Sequence, residues 1–210
     1  FHLACANGGK PVALLTMLDE TGEHSRSHRL STDLLLTQAE RLSLPLFIGS
    51  ATWAAYEEEF VKRLIQARDQ CQATAVVFGD IDIAGHREWG EQICSRPDVN
   101  LTPIFPLWGY DRRMAVNNML AAGQEAMIVS CNAKLGKTFL GRMLNEKTIA
   151  EMEDLGIDIC GENGEFHTMV LDCERFSSPI HVSLGERCQQ PTSPDAPPSE
   201  GYWFIDVKSQ

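Results

Sequence analysis

The stretch Gly161-Glu162-Asn163-Gly164-Glu165-Phe166-His167-Thr168 packs two carboxylates, an amide and an imidazole between two glycines and a β-type run from Thr168 to Asp172. Glycine lets a backbone bend sharply or approach a ligand closely. The polar groups gathered there must be solvated, paired with one another or aimed at something bound. A polar turn entering a strand is the plainer account of such a cluster. Four chemically active side chains within six positions favour a site instead.

Other stretches carry chemistry at wider spacing. Gly79-Asp80-Ile81-Asp82, followed by His86-Arg87-Glu88-Trp89, leaves a buried strand and opens a helix with an arginine in its first turn. Asp80 can orient a ribose or hold Mg²⁺ through water, while Asp82 can equally satisfy helix-start amides. Pro106-Leu107-Trp108-Gly109-Tyr110-Asp111-Arg112 repeats the pattern of strand end, aromatics and a capping Asp; Trp108 faces a substrate or plugs the core. Ser25-Arg26-Ser27-His28-Arg29 offers cations and hydroxyls to a phosphate or carboxylate, or is a solvated loop. His24 and His28 lack a third metal ligand. Asn7-Gly8-Gly9-Lys10 resembles a phosphate loop only in composition, because Pro11 and a strand follow it where a helix is required. Gly8 is better read as a helix C-cap.

The elements that position these residues alternate. Strands are predicted at Val12–Leu18, Leu46–Ile48, Ala75–Phe78, Leu101–Phe105 and Ala126–Ser130. Helices are predicted after Ser31, after Thr52 with the stripe Tyr56, Phe60, Val61, Leu64 and Ile65, over His86–Cys94 and from Asp111 to Gly123. Continuous apolar strands separated by helices predict an α/β fold, a doubly wound and mostly parallel sheet covered on both faces. Ligands of such sheets lie beyond the strand C-termini, where Thr16, Gly49, Ser50, Gly79, Asp80, Trp108 and Ser130 fall. After residue 135 the pattern changes to a helix over Asn145–Leu155 and short strands near 168–173, 180–184 and 202–207. The proline-rich stretch 189–201 reads as a loop. The expected division is a nucleotide-binding domain over 1–135 and a small C-terminal α+β lobe over 136–210.

A net charge of −11 argues against non-specific nucleic-acid binding, which needs a basic footprint. No apolar run has the length to cross a bilayer. Seven cysteines, with no CxxC pair, suggest free thiols and a cytoplasmic protein.

Taken together, Ala13-Leu-Leu-Thr-Met17, Ser25-Arg-Ser-His28, Gly79-Asp-Ile-Asp82 with His86-Arg-Glu-Trp89, Pro106-Leu-Trp-Gly109 with Asp111-Arg112, and Gly161 to Thr168 resemble the diphthine–ammonia ligase family of N-type ATP pyrophosphatases. The stretches occur in the family's order over nearly the whole chain. The resemblance implies a Rossmann-like, PP-loop nucleotide-binding domain with a family-specific lobe. It also implies a reaction in which ATP activates a carboxylate as an acyl-adenylate, pyrophosphate leaves, and ammonia attacks to form an amide. In that family the carboxylate belongs to diphthine, a modified histidine of a translation elongation factor.

On this resemblance, ATP and Mg²⁺ are the expected cofactors, and ammonium and a carboxylate the expected partners, without nucleic acid or membrane; a homo-oligomer stays open. Adenine is expected against the backbone of Leu15, Thr16 and Met17, with Gly79, Asp80 and Arg87 completing the nucleotide site and Asp80 touching Mg²⁺ through water. Glu162, Asn163 and Glu165 are expected to be catalytic, one glutamate deprotonating ammonium. His28, Trp108, Arg112 and His167 are expected to bind the acceptor, His167 chiefly by holding the loop. The family's SGGKDS-type phosphate loop is not in this sequence, and Phe1-His-Leu-Ala-Cys5 looks like the helix that follows it, so further residues are expected upstream. Two alternatives stand beside this reading: an ATP-dependent ligase acting on a small-molecule carboxylate in bacteria, and a non-catalytic nucleotide-binding sensor.

Overall fold

The computed structural model describes residues 1–190 and 201–210; most of the predicted proline-rich loop therefore lies outside the described residues. In chain order the elements are α1 (His2–Ala6), β1 (Leu14–Leu18), α2 (Thr32–Leu42), β2 (Leu46–Ser50), α3 (Tyr56–Cys71), β3 (Ala75–Val77) and α4 (Ala84–Ser95). There follow β4 (Thr102–Ile104), α5 (Arg112–Ala121), β5 (Glu125–Asn132), α6 (Glu146–Asp154), β6 (Phe166–Asp172), β7 (Val182–Gln190) and β8 (Tyr202–Ser209). A short 3-10 turn, Trp53–Ala55, precedes α3. No helix among the described residues is long and apolar enough to cross a membrane.

Packing divides the chain into two compact units, Phe1–Glu23 with Ser43–Asp111, and His24–Leu42 with Arg112–Gln210. The first contains two parallel strand pairs. β1 pairs with β2, Met17 opposite Gly49, and β3 pairs with β4, Ala75 opposite Thr102. α3 forms because its apolar residues recur at helical spacing: Phe60, Val61, Leu64 and Ala67 are buried, with three glutamates in the first turn and Arg68 in the last, a charge order that suits the helix dipole. That stripe closes a core with Met17, Ile93, Val99 and Leu101.

The second unit is built on an antiparallel sheet ordered β6-β5-β8-β7. Its core joins Leu34 of α2, Val116 of α5 and Ile149 and Met152 of α6 to the interior residues of β5 and β6. Asn145 caps α6, its side-chain oxygen accepting from the Thr148 N–H at 3.0 Å. Gln38 Nε2 donates to Val170 O at 2.9 Å, which fastens α2 to β6.

The structure is a mixed α/β fold, as expected, and its strand pairing and packing boundary differ in detail from the expected layout. Hydrogen bonding gives two parallel pairs and a larger antiparallel sheet among the described residues, not one mostly parallel sheet. The cause is β5. All residues from Ala126 to Cys131 are buried, so the strand reads as a continuous apolar run, yet it pairs antiparallel with both β6 and β8. Burial on both faces produces the same apolar run whatever the direction of the neighbours. Because β5 is the centre of the second sheet, the packing boundary falls at Asp111/Arg112, earlier than residue 135, and residues 24–42 join the second unit.

Candidate active site

In the first unit the end of β1 is stapled by Asp19. Its Oδ1 accepts from Thr21 N at 3.1 Å, Thr21 Oγ1 at 2.6 Å and Gly22 N at 3.1 Å, and Ser50 Oγ donates to Asp19 O at 2.6 Å. Leu15 and Thr16 are half-buried, Met17 is buried in the core, and all three pair with β2.

Gly79 and Asp80 lead from β3 to α4. Asp80 Oδ1 lies 3.0 Å from His86 Nδ1. Gly109 N donates to Ile81 O at 2.8 Å, which brings the turn carrying Trp108 beside Asp80. The Arg87 guanidinium stands 4.9 Å from the Trp108 ring centre and 5.6 Å from that of Phe105, while its Nε donates to Glu91 at 2.7 Å. The structure therefore gathers Gly79, Asp80, Arg87 and Trp108. Cation–π contact with the two rings, worth about 0.5–2 kcal/mol, helps to orient the guanidinium.

In the second unit residues 158–164 form two consecutive turns, with Gly161 N donating to Asp158 O and Gly164 N to Gly161 O, both at 3.0 Å. The Asp158 carboxylate, 8% exposed, lies beneath them. Its Oδ2 accepts from Arg112 Nε at 2.8 Å, Glu162 N at 3.2 Å and Asn163 Nδ2 at 3.4 Å, and its Oδ1 accepts from Cys160 N at 3.0 Å. Glu165 Oε2 accepts from Asn163 N at 3.1 Å. Tyr202 Oη donates to Gly164 O at 2.8 Å, and Asn132 N donates to Glu165 O at 2.8 Å. Glu162, Asn163 and Glu165 thus share one hydrogen-bonded network, which Arg112 joins through Asp158.

His167 follows directly, with its ring centre 4.8 Å from that of His28. Burial, with His167 as a second cause, pushes the His28 imidazole down to about 4, and burial also lowers His167. Both rings are therefore neutral near pH 7 and present one N–H donor and one acceptor nitrogen each. Ser130 pairs in register with His167 on one side and Phe204 on the other, and its fully buried hydroxyl has no hydrogen-bond partner among the described residues. Cys131 is buried and burial pushes its thiol up to about 12, so it packs as a small apolar residue.

Sequence reasoning missed Asp158, Tyr202 and Asp19, and quoted His86 in its stretch without giving it a role. Asp158 had a faint signal, a lone carboxylate between Ile157 and Ile159, both of which are buried. Tyr202 had none, since only the β5–β8 pairing brings it near the turn. Among the described residues there is no group of three or more His, Cys, Asp or Glu side chains that could hold a metal ion.

The sequence matches two family models, the diphthamide synthase N-terminal domain over residues 7–101 and the diphthamide synthase C-terminal domain over residues 112–194. The second match begins at Arg112, where the second run of the second packing unit begins. Proteins named diphthine–ammonia ligase are similar along much of the chain. The one from Danio rerio is 26% identical over 212 residues, covering 88% of this chain and 81% of that protein. The one from Rattus norvegicus is 31% identical over 169 residues, covering 70% of this chain and 61% of that protein. The one from Schizosaccharomyces pombe is 29% identical over 199 residues, covering 82% of this chain and 32% of that protein. The matched stretch thus spans less than two thirds of the rat and yeast relatives. With both domain models matched in order, the chain belongs to the diphthine–ammonia ligase family.

Proposed function

We propose that this chain acts in an ATP-dependent ligase that converts a carboxylate to a carboxamide with ammonia, and that the carboxylate is diphthine, as the names of its relatives suggest. The observation that carries the reading is the match to both diphthamide synthase domains, one on each side of Asp111/Arg112. The reaction transfers AMP from ATP to the carboxylate with loss of pyrophosphate. Ammonia then attacks the acyl carbon, and AMP leaves.

For the nucleotide, the first unit supplies the strand backbone of Leu15 to Met17, the open turn at Gly79, the Asp80 carboxylate and the ring-mounted Arg87. Two parallel strand pairs with polar groups beyond their C-terminal ends support a Rossmann-like, PP-loop domain. Mg²⁺ is commonly held by one or two carboxylates, water and substrate phosphates. A lone, partly exposed Asp80 fits an ion that arrives with the nucleotide, and such an ion would neutralise phosphate charge. Trp108 is assigned to acceptor binding.

For the amide-forming step, Glu162 is assigned as the proton acceptor for ammonium, while Glu165 shapes the turn through Asn163 N. Asn163 and Arg112 are assigned to the acceptor side. His28 and His167, uncharged near pH 7, suit hydrogen bonding to neutral groups.

The test replaces Glu162 or Glu165 with Gln and follows two activities separately, ATP–pyrophosphate exchange and amide formation on a diphthine-bearing elongation factor. For Glu162→Gln, amide formation is expected to fall about 10²–10⁴-fold, the usual worth of a general base, with exchange largely kept. If neither activity moves in either variant, the assignment is wrong.

A further inference from the structure

We infer that Asp158, anchored by Arg112, is a positioning residue that holds the acidic turn in its working shape. The catalytic consequence rests on the ligase reading above; the geometric claim does not. A turn of Gly, Asn and Glu closed by two backbone bonds has little to keep one shape. The Asp158 carboxylate changes that. It accepts from the main chain at Cys160 and Glu162 and from the side chain of Asn163, so both arms of the turn converge on one anion. Hydrogen bonds to an ionised acceptor are roughly twice as strong as neutral ones, and at 8% exposure they compete little with water.

Arg112, the first residue of α5, donates to the same Oδ2 and so ties the turn to an element 46 positions away in sequence. On the far side Tyr202 and Asn132 hold Gly164 and Glu165. Asp158 itself lies under the turn with its oxygens occupied by these donors, which makes it a support and not a reacting group. A shift of about 1 Å in a catalytic group costs on the order of 10²-fold in rate, so loss of this support is expected to lower turnover far more than nucleotide binding.

The deciding variant is Asp158→Asn, which keeps the shape but turns one acceptor into a donor facing N–H groups. Arg112→Lys is a milder second variant. Arg113→Gln is the control, since among the described residues Arg113 makes ion pairs with surface Glu146 and Glu153 alone. Two readouts are taken: kcat for amide formation against KM for ATP, and amide hydrogen exchange of residues 160–165 against β1 and β2. For Asp158→Asn, kcat is expected to fall about 10–100-fold with KM for ATP within about twofold, and exchange to speed up at 160–165 alone. Arg112→Lys should move both readouts the same way by less, and Arg113→Gln should move neither.

Wild-type exchange at 160–165 in Asp158→Asn overturns the inference. So does faster exchange throughout the chain with activity lost in proportion, because Asp158 would then be a general stability residue. If the unmodified protein forms no amide, the ligase reading falls alone, and the exchange data still decide the role of Asp158.

Discussion

Replacing Gly161 with alanine asks how tightly backbone geometry constrains the acidic turn. Gly161 has φ +67°, and a Cβ built there would lie 2.8 Å from Phe166 O and 3.2 Å from its ring. The left-handed conformation costs an L-residue about 1–2 kcal/mol, of which about 0.4–1 kcal/mol is regained because alanine restricts the unfolded chain. The overlap with Phe166 O adds about 1–3 kcal/mol, as overpacking does, because a strand carbonyl cannot rotate away as a flexible side chain would. The expected loss is therefore about 2–4 kcal/mol.

Gly156 supplies the reference. It ends α6 at φ +61° with nothing among the described residues within 4 Å of a built Cβ, so Gly156→Ala carries the conformational cost alone, about 0.5–1 kcal/mol. Urea denaturation of both variants, with equal m-values as a check on the unfolded state, measures the gap, expected at about 1–3 kcal/mol. At temperatures where Gly161→Ala remains folded, amide formation should still be depressed, because any relief of the overlap moves Glu162 and Asn163. Equal losses in the two variants would refute the reasoning, since the Phe166 contact would then carry no energy.

Ser130→Ala should leave stability unchanged or raise it, because the buried unpartnered hydroxyl costs about 1–3 kcal/mol where it stands; a clear loss in thermal unfolding would show that the hydroxyl has a partner. His28 titrates at about 4 in the folded chain and near 6.5 in the unfolded one. Its contribution is therefore complete above about pH 6.5 and lost as the pH falls towards 4, with a ceiling of about 3 kcal/mol that screening of a half-buried ring lowers. His167 shifts in the same direction and retains part of the slope. His28→Gln should flatten the stability–pH curve over that window, and parallel curves would sink the assignment. Asn145→Ala removes the cap on Thr148 N and should cost about 1 kcal/mol in denaturant unfolding without altering ATP–pyrophosphate exchange; no measurable cost would show that α6 is held by packing alone.

Local chemistry was legible in the chain. The stripe of α3, the helix over α6 and the glycine-flanked acidic turn each depend on neighbours within a few positions, and each was found where its residues pointed. The polar ends of β1 and β3 followed from the same logic.

What only the tertiary structure decided is partnership across distance. Ala126–Ser130 announced a buried strand but not its neighbours, since an apolar run records burial on two faces and carries no sign of strand direction. Arg112 read as a residue for a substrate carboxylate; only folding shows that its Nε also donates to Asp158, a residue whose side chain is unremarkable until the turn closes over it. Pairing energy depends on which groups share a desolvated space, and sequence spacing specifies that space only along a single helix or strand.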